Sequence, residues 1–172
     1  MEIVRLNSNT LLKDKLWFSL YEISFPAEER ESKEVICKTA DNKNGIVLAL
    51  KEGNAIIGLV TCQFLPTVSL LFIVYLAIAS EYQNMQFGEK IFNYLKSISD
   101  KMINQKIQGL WEIDKPYENG ISGNEFTKRK RRESFFIKNG GKIINTDYVQ
   151  PPVDGNTFVN MNLMYFPRTT PN

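Results

Sequence analysis

Apolar positions fall into periodic segments separated by polar or glycine-bearing stretches. Ile3 to Leu6 forms a short strand. Positions 12, 16, 20 and 23 then carry Leu, Leu, Leu and Ile, one face of a helix over 11–23. Pro26 suits the first turn of a second helix, because its φ is fixed and it has no N–H to leave unpaired. Glu28, Glu29 and Glu31 follow where the helix dipole favours acids, and the pattern runs to about Ala40. Gly45 and Gly53-Asn54 punctuate strands 46–51 and 55–64, predicted to form a hairpin. From Val68 to Ala79 only Ser69 interrupts an apolar run, which predicts a strand buried on both faces.

A polar loop, Ser80 to Gln86, leads from that run to Gly88 and a long helix. Its stripe is Ile91, Phe92, Leu95, Ile98, Met102 and Ile103. A strand over 107–113 follows, so strand, helix and strand make a parallel pair with a right-handed crossover. After a loop over 114–126, residues 127–138 have a helical pattern. Asn139-Gly140-Gly141 stops it. Strands over 142–149 and 157–166 close an antiparallel edge, and 167–172 is a frayed tail. The order β-α-α-β-β-β-α-β-α-β-β predicts an α/β fold on a mixed sheet. Its 172 residues suit a single domain over 1–166.

Composition narrows the chemistry. The chain has no histidine, which removes a Ser-His-Asp triad, a histidine base and His-ligated metal. Two cysteines, Cys37 and Cys62, are too few for a zinc cluster and read as small core residues. No metal is expected. Lysine and arginine number 21 against 19 acids. That balance argues against nucleic acid as the partner. No stretch approaches the roughly 20 apolar residues of a membrane helix, and the first residues have no signal-peptide core. A cytoplasmic address is expected, as a monomer or homodimer.

The segment Leu76-Ala77-Ile78-Ala79-Ser80-Glu81-Tyr82-Gln83-Asn84-Met85-Gln86-Phe87-Gly88-Glu89-Lys90 holds the clearest chemistry. The first N–H groups of a helix lack internal partners and, with the dipole, attract a phosphate. Gln83-Asn84-Met85-Gln86-Phe87-Gly88 resembles the acyl-CoA loop of the GNAT N-acetyltransferase superfamily, Arg/Gln-x-x-Gly-x-Gly/Ala. Leu76-Ala77-Ile78 is similar to the Leu-Ala-Val of the family's fourth strand, and Leu110-Trp111-Glu112-Ile113 to its fifth-strand Leu-x-Glu-Val. Arg131 to Gly141 resembles Arg-Arg-x-x-Phe-Tyr-x-x-x-Gly-Phe, and Phe25-Pro26-Ala27-Glu28-Glu29-Arg30 an early Phe-Pro-x-x-Glu-Arg. The departures are Gln86 for the first loop glycine, Phe136 for the helix tyrosine and Gly141 for the closing aromatic.

The resemblance implies a largely antiparallel sheet in which parallel strands four and five splay around acetyl-CoA. It implies that Leu76, Ala77 and Ile78 hold the pantetheine arm and thioester. Gln83, Asn84, Gln86, Phe87, Gly88 and Glu89 would hold the pyrophosphate. The acceptor would be a primary amine, small molecule or peptide, with Glu112 taking its proton. Tyr148, on the next strand, is the candidate to supply the proton in place of the missing helix acid; the alternative is that Phe136 packs in the core and catalysis is lost. Glu28, Glu29, Glu31 and Glu34 either draw in a cationic amine or complement a helix start. Lys128 to Arg132 is a solvated helix start, a site for the 3′-phosphate of CoA, or a nucleic-acid patch. Tyr117 and Tyr148 are candidates for the acceptor pocket. A non-catalytic acyl-CoA-binding module is the alternative to the enzyme.

Overall fold

The computed structural model describes residues 1–103, 107–153 and 158–168, with the side chain of Glu28 left aside. Its strands form one mixed sheet in the order β1-β2-β3-β4-β5-β8-β6, with β7 also on β8. β1 (Glu2–Arg5), β2 (Gly45–Glu52), β3 (Ala55–Leu65) and β4 (Leu70–Ile78) are antiparallel neighbours. β4 and β5 (Ile107–Asp114) are parallel, joined through α4 (Phe87–Met102). β8 (Val159–Pro167) runs antiparallel to β5. The predicted fold class holds.

Two cores flank the sheet. On one face Trp17, Phe18, Tyr21 and Ile36 pack on Val47, Ala49, Leu59 and Tyr75. On the other Ile91, Phe92 and Leu95 of α4, with Phe136, cover Leu48, Ile73, Trp111 and Phe166. Most of the stripe expected on the long helix is therefore the buried one, although Met102 is exposed.

Local capping accounts for where the predicted elements shift. The first helix divides into α1 (Ser8–Lys13) and α2 (Lys15–Ser24), because Asp14 leaves the helical region and caps Trp17 N–H at 3.3 Å. The second helix does not begin at Pro26. A single 3-10 turn, Ala27–Glu29, comes first, and α3 (Lys33–Asp41) starts after Ser32. The reason lies in the sheet: the Tyr75 hydroxyl donates to Glu29 O at 2.8 Å and accepts from Glu31 N–H at 2.9 Å, holding the chain extended there. α5 (Gly123–Lys138) begins earlier than predicted, capped by Ser122. It ends as expected, with Gly140 at φ 89° and Gly141 N–H donating to Phe136 O at 2.8 Å.

The strand predicted over 142–149 is two strands, β6 (Lys142–Ile143) and β7 (Tyr148–Gln150). The chain turns out between them, where Thr146 N–H donates to Ile144 O. The last strand reaches Pro167, one residue into the expected tail; residues 154–157 and 169–172 lie outside the described residues.

The β4–β5 ladder is what opens the site. Only Leu71, Phe72 and Ile73 pair with Gly109, Leu110 and Trp111. Beyond them β5 continues on β8 alone, and β4 on β3 alone. The parting coincides with an irregularity in β4. Ile73 faces Cys62 and Tyr75 faces Thr61, so Val74 is an extra, bulged residue. A bulge bends the strand that carries it and re-aims the side chains beyond it. Leu71 and Ile73 face the α4 core, whereas Val74 and Tyr75 both join the opposite one.

Candidate active site

The diverging strands enclose a cleft of about 1370 Å³. One wall is β4 from Phe72 onward, continuing through Ser80 to Gln83; the other is Trp111 to Asp114 of β5. Leu76, Ala77 and Ile78 are only half-buried because they face this space, which corrects the expectation of a run buried on both sides.

At one end the loop after β4 turns into α4. Asn84 and Gln86 adopt left-handed backbone, at φ 66° and 64°. Such a conformation costs a non-glycine residue roughly 1–2 kcal/mol. Gln86 is the N-cap of α4, and no side chain caps that helix, so its first N–H groups remain available to an anion. Gln83 folds back on the strand, its Nε2 donating to Ile78 O at 3.2 Å. Gly88 serves packing: a Cβ there would lie 3.1 Å from the Phe135 ring of α5. Of the nine residues expected to hold acyl-CoA, Leu76, Ala77, Ile78 and Gln83 line the cleft. Asn84, Gln86, Phe87, Gly88 and Glu89 form the loop and helix start beside it.

At the throat, Glu112 accepts two hydrogen bonds from β7. The Tyr148 hydroxyl donates to Oε1, and Gln150 Nε2 donates to Oε2 at 2.7 Å. Residues 148 and 150 share one side of the strand, so both reach toward β5. Burial, and then the adjoining Glu112, raise the Tyr148 pKa above the ordinary phenol value. Sequence reasoning named Glu112 and Tyr148, which the structure brings together, and did not name Gln150, although the Tyr-x-Gln spacing was there to read. Phe136 is 6% exposed and packs on Trp111 with ring centroids 5.0 Å apart.

The cleft lining also includes Phe25, Glu29, Glu31 and Tyr75. Tyr21 adds a hydrogen bond to Glu31 O at 3.2 Å, so two buried tyrosines fix this acidic loop. The Glu31 carboxyl has an oxygen, Oε2, that is buried without a partner. Desolvation raises its pKa. Glu34 stands apart, at the start of α3, where its own backbone N–H and the Ser32 hydroxyl lower its pKa. Tyr117 is 74% exposed and meets the Phe126 ring at a tilt, outside the cleft lining.

The basic run is mostly paired within the chain. Because α5 starts at Gly123, Lys128 to Arg132 lie past its first turn and do not oppose its dipole. Arg129 bridges Glu118 at 2.7 Å and Glu125 at 3.0 Å. Arg132 meets Asp114, and Lys130 meets Glu133 at 2.7 Å. Arg131 donates to Asn84 Oδ1, which brings one guanidinium to the loop at the helix start. Among the described residues, no group of side chains is placed to hold a metal ion, and no helix is long and apolar enough to cross a membrane.

This architecture has known relatives. The chain belongs to the acetyltransferase (GNAT) family, whose profile matches residues 14–121. Among solved structures it is similar to a protein assigned as a GNAT-family acetyltransferase from Bacteroides thetaiotaomicron. That pair has 21% identity and TM-score 0.75, covering 96% of this chain and 86% of that one. An aminoglycoside 6′-N-acetyltransferase complexed with coenzyme A has 18% identity and TM-score 0.71, covering 100% and 99%. The ribosomal-protein-S18-alanine N-acetyltransferase of Escherichia coli has 13% identity and TM-score 0.68, covering 99% and 96%. No curated protein sequence matches the chain significantly.

Proposed function

We propose that this acetyltransferase moves an acetyl group from acetyl-CoA to a primary amine, of a small molecule or a peptide, by direct attack. The observation that carries the reading is the cleft between β4 and β5, with the uncapped start of α4 at one end and Glu112 at its throat. The loop 83–89 suits a pyrophosphate, since its N–H groups and the dipole favour an anion. Arg131 adds a positive charge there. Leu76, Ala77 and Ile78 offer an open strand edge to the pantetheine arm, and a backbone N–H of that edge polarises the thioester carbonyl.

A primary amine is protonated near neutral pH and must lose a proton to attack. Glu112 takes it, directly or through one water. Tyr148 and Gln150, which line the cleft beside it, hold the carboxylate in place, and the raised pKa of Tyr148 suits it to positioning rather than to giving up a proton. The amine nitrogen bonds to the carbonyl carbon and gives its second proton to water, the C–S bond breaks, and the electron pair leaves on sulfur. Glu29 and Glu31 favour an acceptor that is cationic. We place the protein in the cytoplasm, as a single-domain monomer or homodimer.

Phe136, where a tyrosine acid stands in the family pattern, favours a second reading: a module that binds acyl-CoA without transfer. Acetyl-CoA at 100 times its dissociation constant stabilises a protein by about 2.7 kcal/mol under either reading. Amine-dependent thiol release separates them. Release supports the enzyme; a melting shift without release from any amine supports the module, and no shift at all contradicts both.

A further inference from the structure

Trp111 is 2% exposed, yet its indole N–H has no hydrogen-bond partner. The other tryptophan behaves ordinarily: Trp17 Nε1 donates to Leu48 O at 3.0 Å. Buried indoles usually find an acceptor, and leaving such a donor unmet costs about 1–3 kcal/mol. The orphan stands at a particular place. Trp111 lines the cleft, and it is the last residue of β5 still paired to β4. The surroundings are aromatic: Phe92, Phe136 and Phe166 lie with ring centroids 5.3, 5.0 and 5.9 Å away. Phe136, which also lines the cleft, is the helix position without a hydroxyl.

We propose that Trp111 Nε1–H is the hydrogen-bond donor to the sulfur of the acyl thioester, and that this bond strengthens as the sulfur leaves as a thiolate. The inference rests on the acyl-transfer reading above. In that step the amine nitrogen bonds to the carbonyl carbon, and the C–S electron pair passes to sulfur. One amine proton goes to Glu112 before attack, and the second, shed once the nitrogen has bonded to carbon, goes to water. The indole donates a hydrogen bond but keeps its proton, because its N–H is a donor only. Water protonates the thiolate afterwards. With free cysteine as guide, a thiol pKa of about 8.5 lets the thiolate depart near neutral pH without full protonation. A hydrogen bond to an ion is roughly twice as strong as a neutral one, and the aromatic surroundings add to it through their low dielectric. The donor thus does part of the work expected of the missing tyrosine, without the proton transfer.

The test uses the ¹⁵N-labelled wild-type chain, whose 2 tryptophans give separate indole cross-peaks; Trp111→Phe assigns them. It is titrated with coenzyme A and with desulfo-coenzyme A, which keeps the nucleotide and pantetheine arm but lacks the sulfur. The Trp111 Hε1 resonance should move downfield with coenzyme A, and further as the pH passes the thiol pKa. Trp17 should stay in place, and desulfo-coenzyme A should leave the Trp111 Hε1 resonance nearly unmoved while still raising the melting temperature. In kinetics, Trp111→Phe should lower kcat for thiol release about tenfold, with a smaller change in KM for acetyl-CoA. Adding Phe136→Tyr to that variant should restore much of the loss. If coenzyme A binds and Trp111 stays unmoved, or moves equally with the sulfur-free analogue, the inference fails while the acyl-transfer reading stands. If neither compound nor acetyl-CoA raises the melting temperature, the acyl-transfer reading fails and takes the inference with it. Should Trp111→Phe not fold, through-space contacts of the indole proton with the Phe92, Phe136 and Phe166 rings assign it, and the wild-type titration decides.

Discussion

The two ends of the cleft are built on different principles. The end at loop 83–89 relies on backbone: left-handed Asn84 and Gln86, an uncapped helix start and an open strand edge. Its side chains mainly shape the chain. The throat relies on side chains brought from distant parts of the sequence, Glu112 on β5 with Tyr148 and Gln150 on β7, in a cleft that Glu29, Glu31 and Tyr75 also line. A backbone site tolerates substitution so long as the conformation survives, which is why Gln86 can occupy a left-handed position at a moderate cost. A side-chain site has no such tolerance. Donor binding and acceptor chemistry should therefore respond to different mutations.

Glu112→Gln should break the throat alone. It keeps the size and loses the basicity, so turnover should fall by about 10²–10⁴ while acetyl-CoA still raises the melting temperature. Loss of both together would mean that Glu112 also holds the donor. Tyr148→Phe removes one of the two hydrogen bonds to that carboxylate. Hydrogen bonds to charged groups contribute about 1.5–3 kcal/mol, so steady-state kinetics should show roughly a tenfold loss in kcat, with KM for acetyl-CoA little changed. At the other end, Gln86→Gly relieves the left-handed backbone. It should stabilise the fold by about 1 kcal/mol and keep or tighten acetyl-CoA binding, read by calorimetry; weaker binding would make the Gln86 side chain a ligand group.

The smallest effect concerns Glu31. Its carboxyl pKa is raised by desolvation, so the folded state keeps the proton to higher pH than the unfolded chain does. Stability is then greatest below the ordinary carboxyl range and declines as pH rises through the raised value. Glu31→Gln should raise the melting temperature near neutral pH, with the gain vanishing in acid. The same variant should raise KM for a cationic amine. A melting gain independent of pH would point to packing rather than charge.

How much of this was legible follows the same division. The loop end of the cleft sits in one continuous stretch, Leu76 to Lys90, so a strand, a polar loop and a glycine at a helix start could be read in order. Glu112 was legible from its motif, and Tyr148 as a nearby hydroxyl. Their hydrogen bond was not, because it depends on β7 being placed beside β8 after a turn that the pattern over 142–149 concealed. The early turn at Ala27–Glu29 was missed for a related reason. Pro26 and the acids that follow have every local mark of a helix start, but the Tyr75 hydroxyl, 46 residues away from Glu29 in sequence, holds the backbone extended. The bulge at Val74 left no mark in an apolar run, although it accompanies the opening of the cleft. The basic run looked like a patch until the structure paired Arg129, Lys130 and Arg132 with acids.

The central claim is transfer from the donor end to an amine at the throat. Its most direct test is to incubate the wild-type protein with acetyl-CoA and amines graded by charge, following thiol release and the mass of each acceptor. The account predicts that release requires an amine, that the acceptor gains one acetyl group, and that amines carrying a second positive charge react fastest. Binding of acetyl-CoA with no acetylated product from any amine would contradict it.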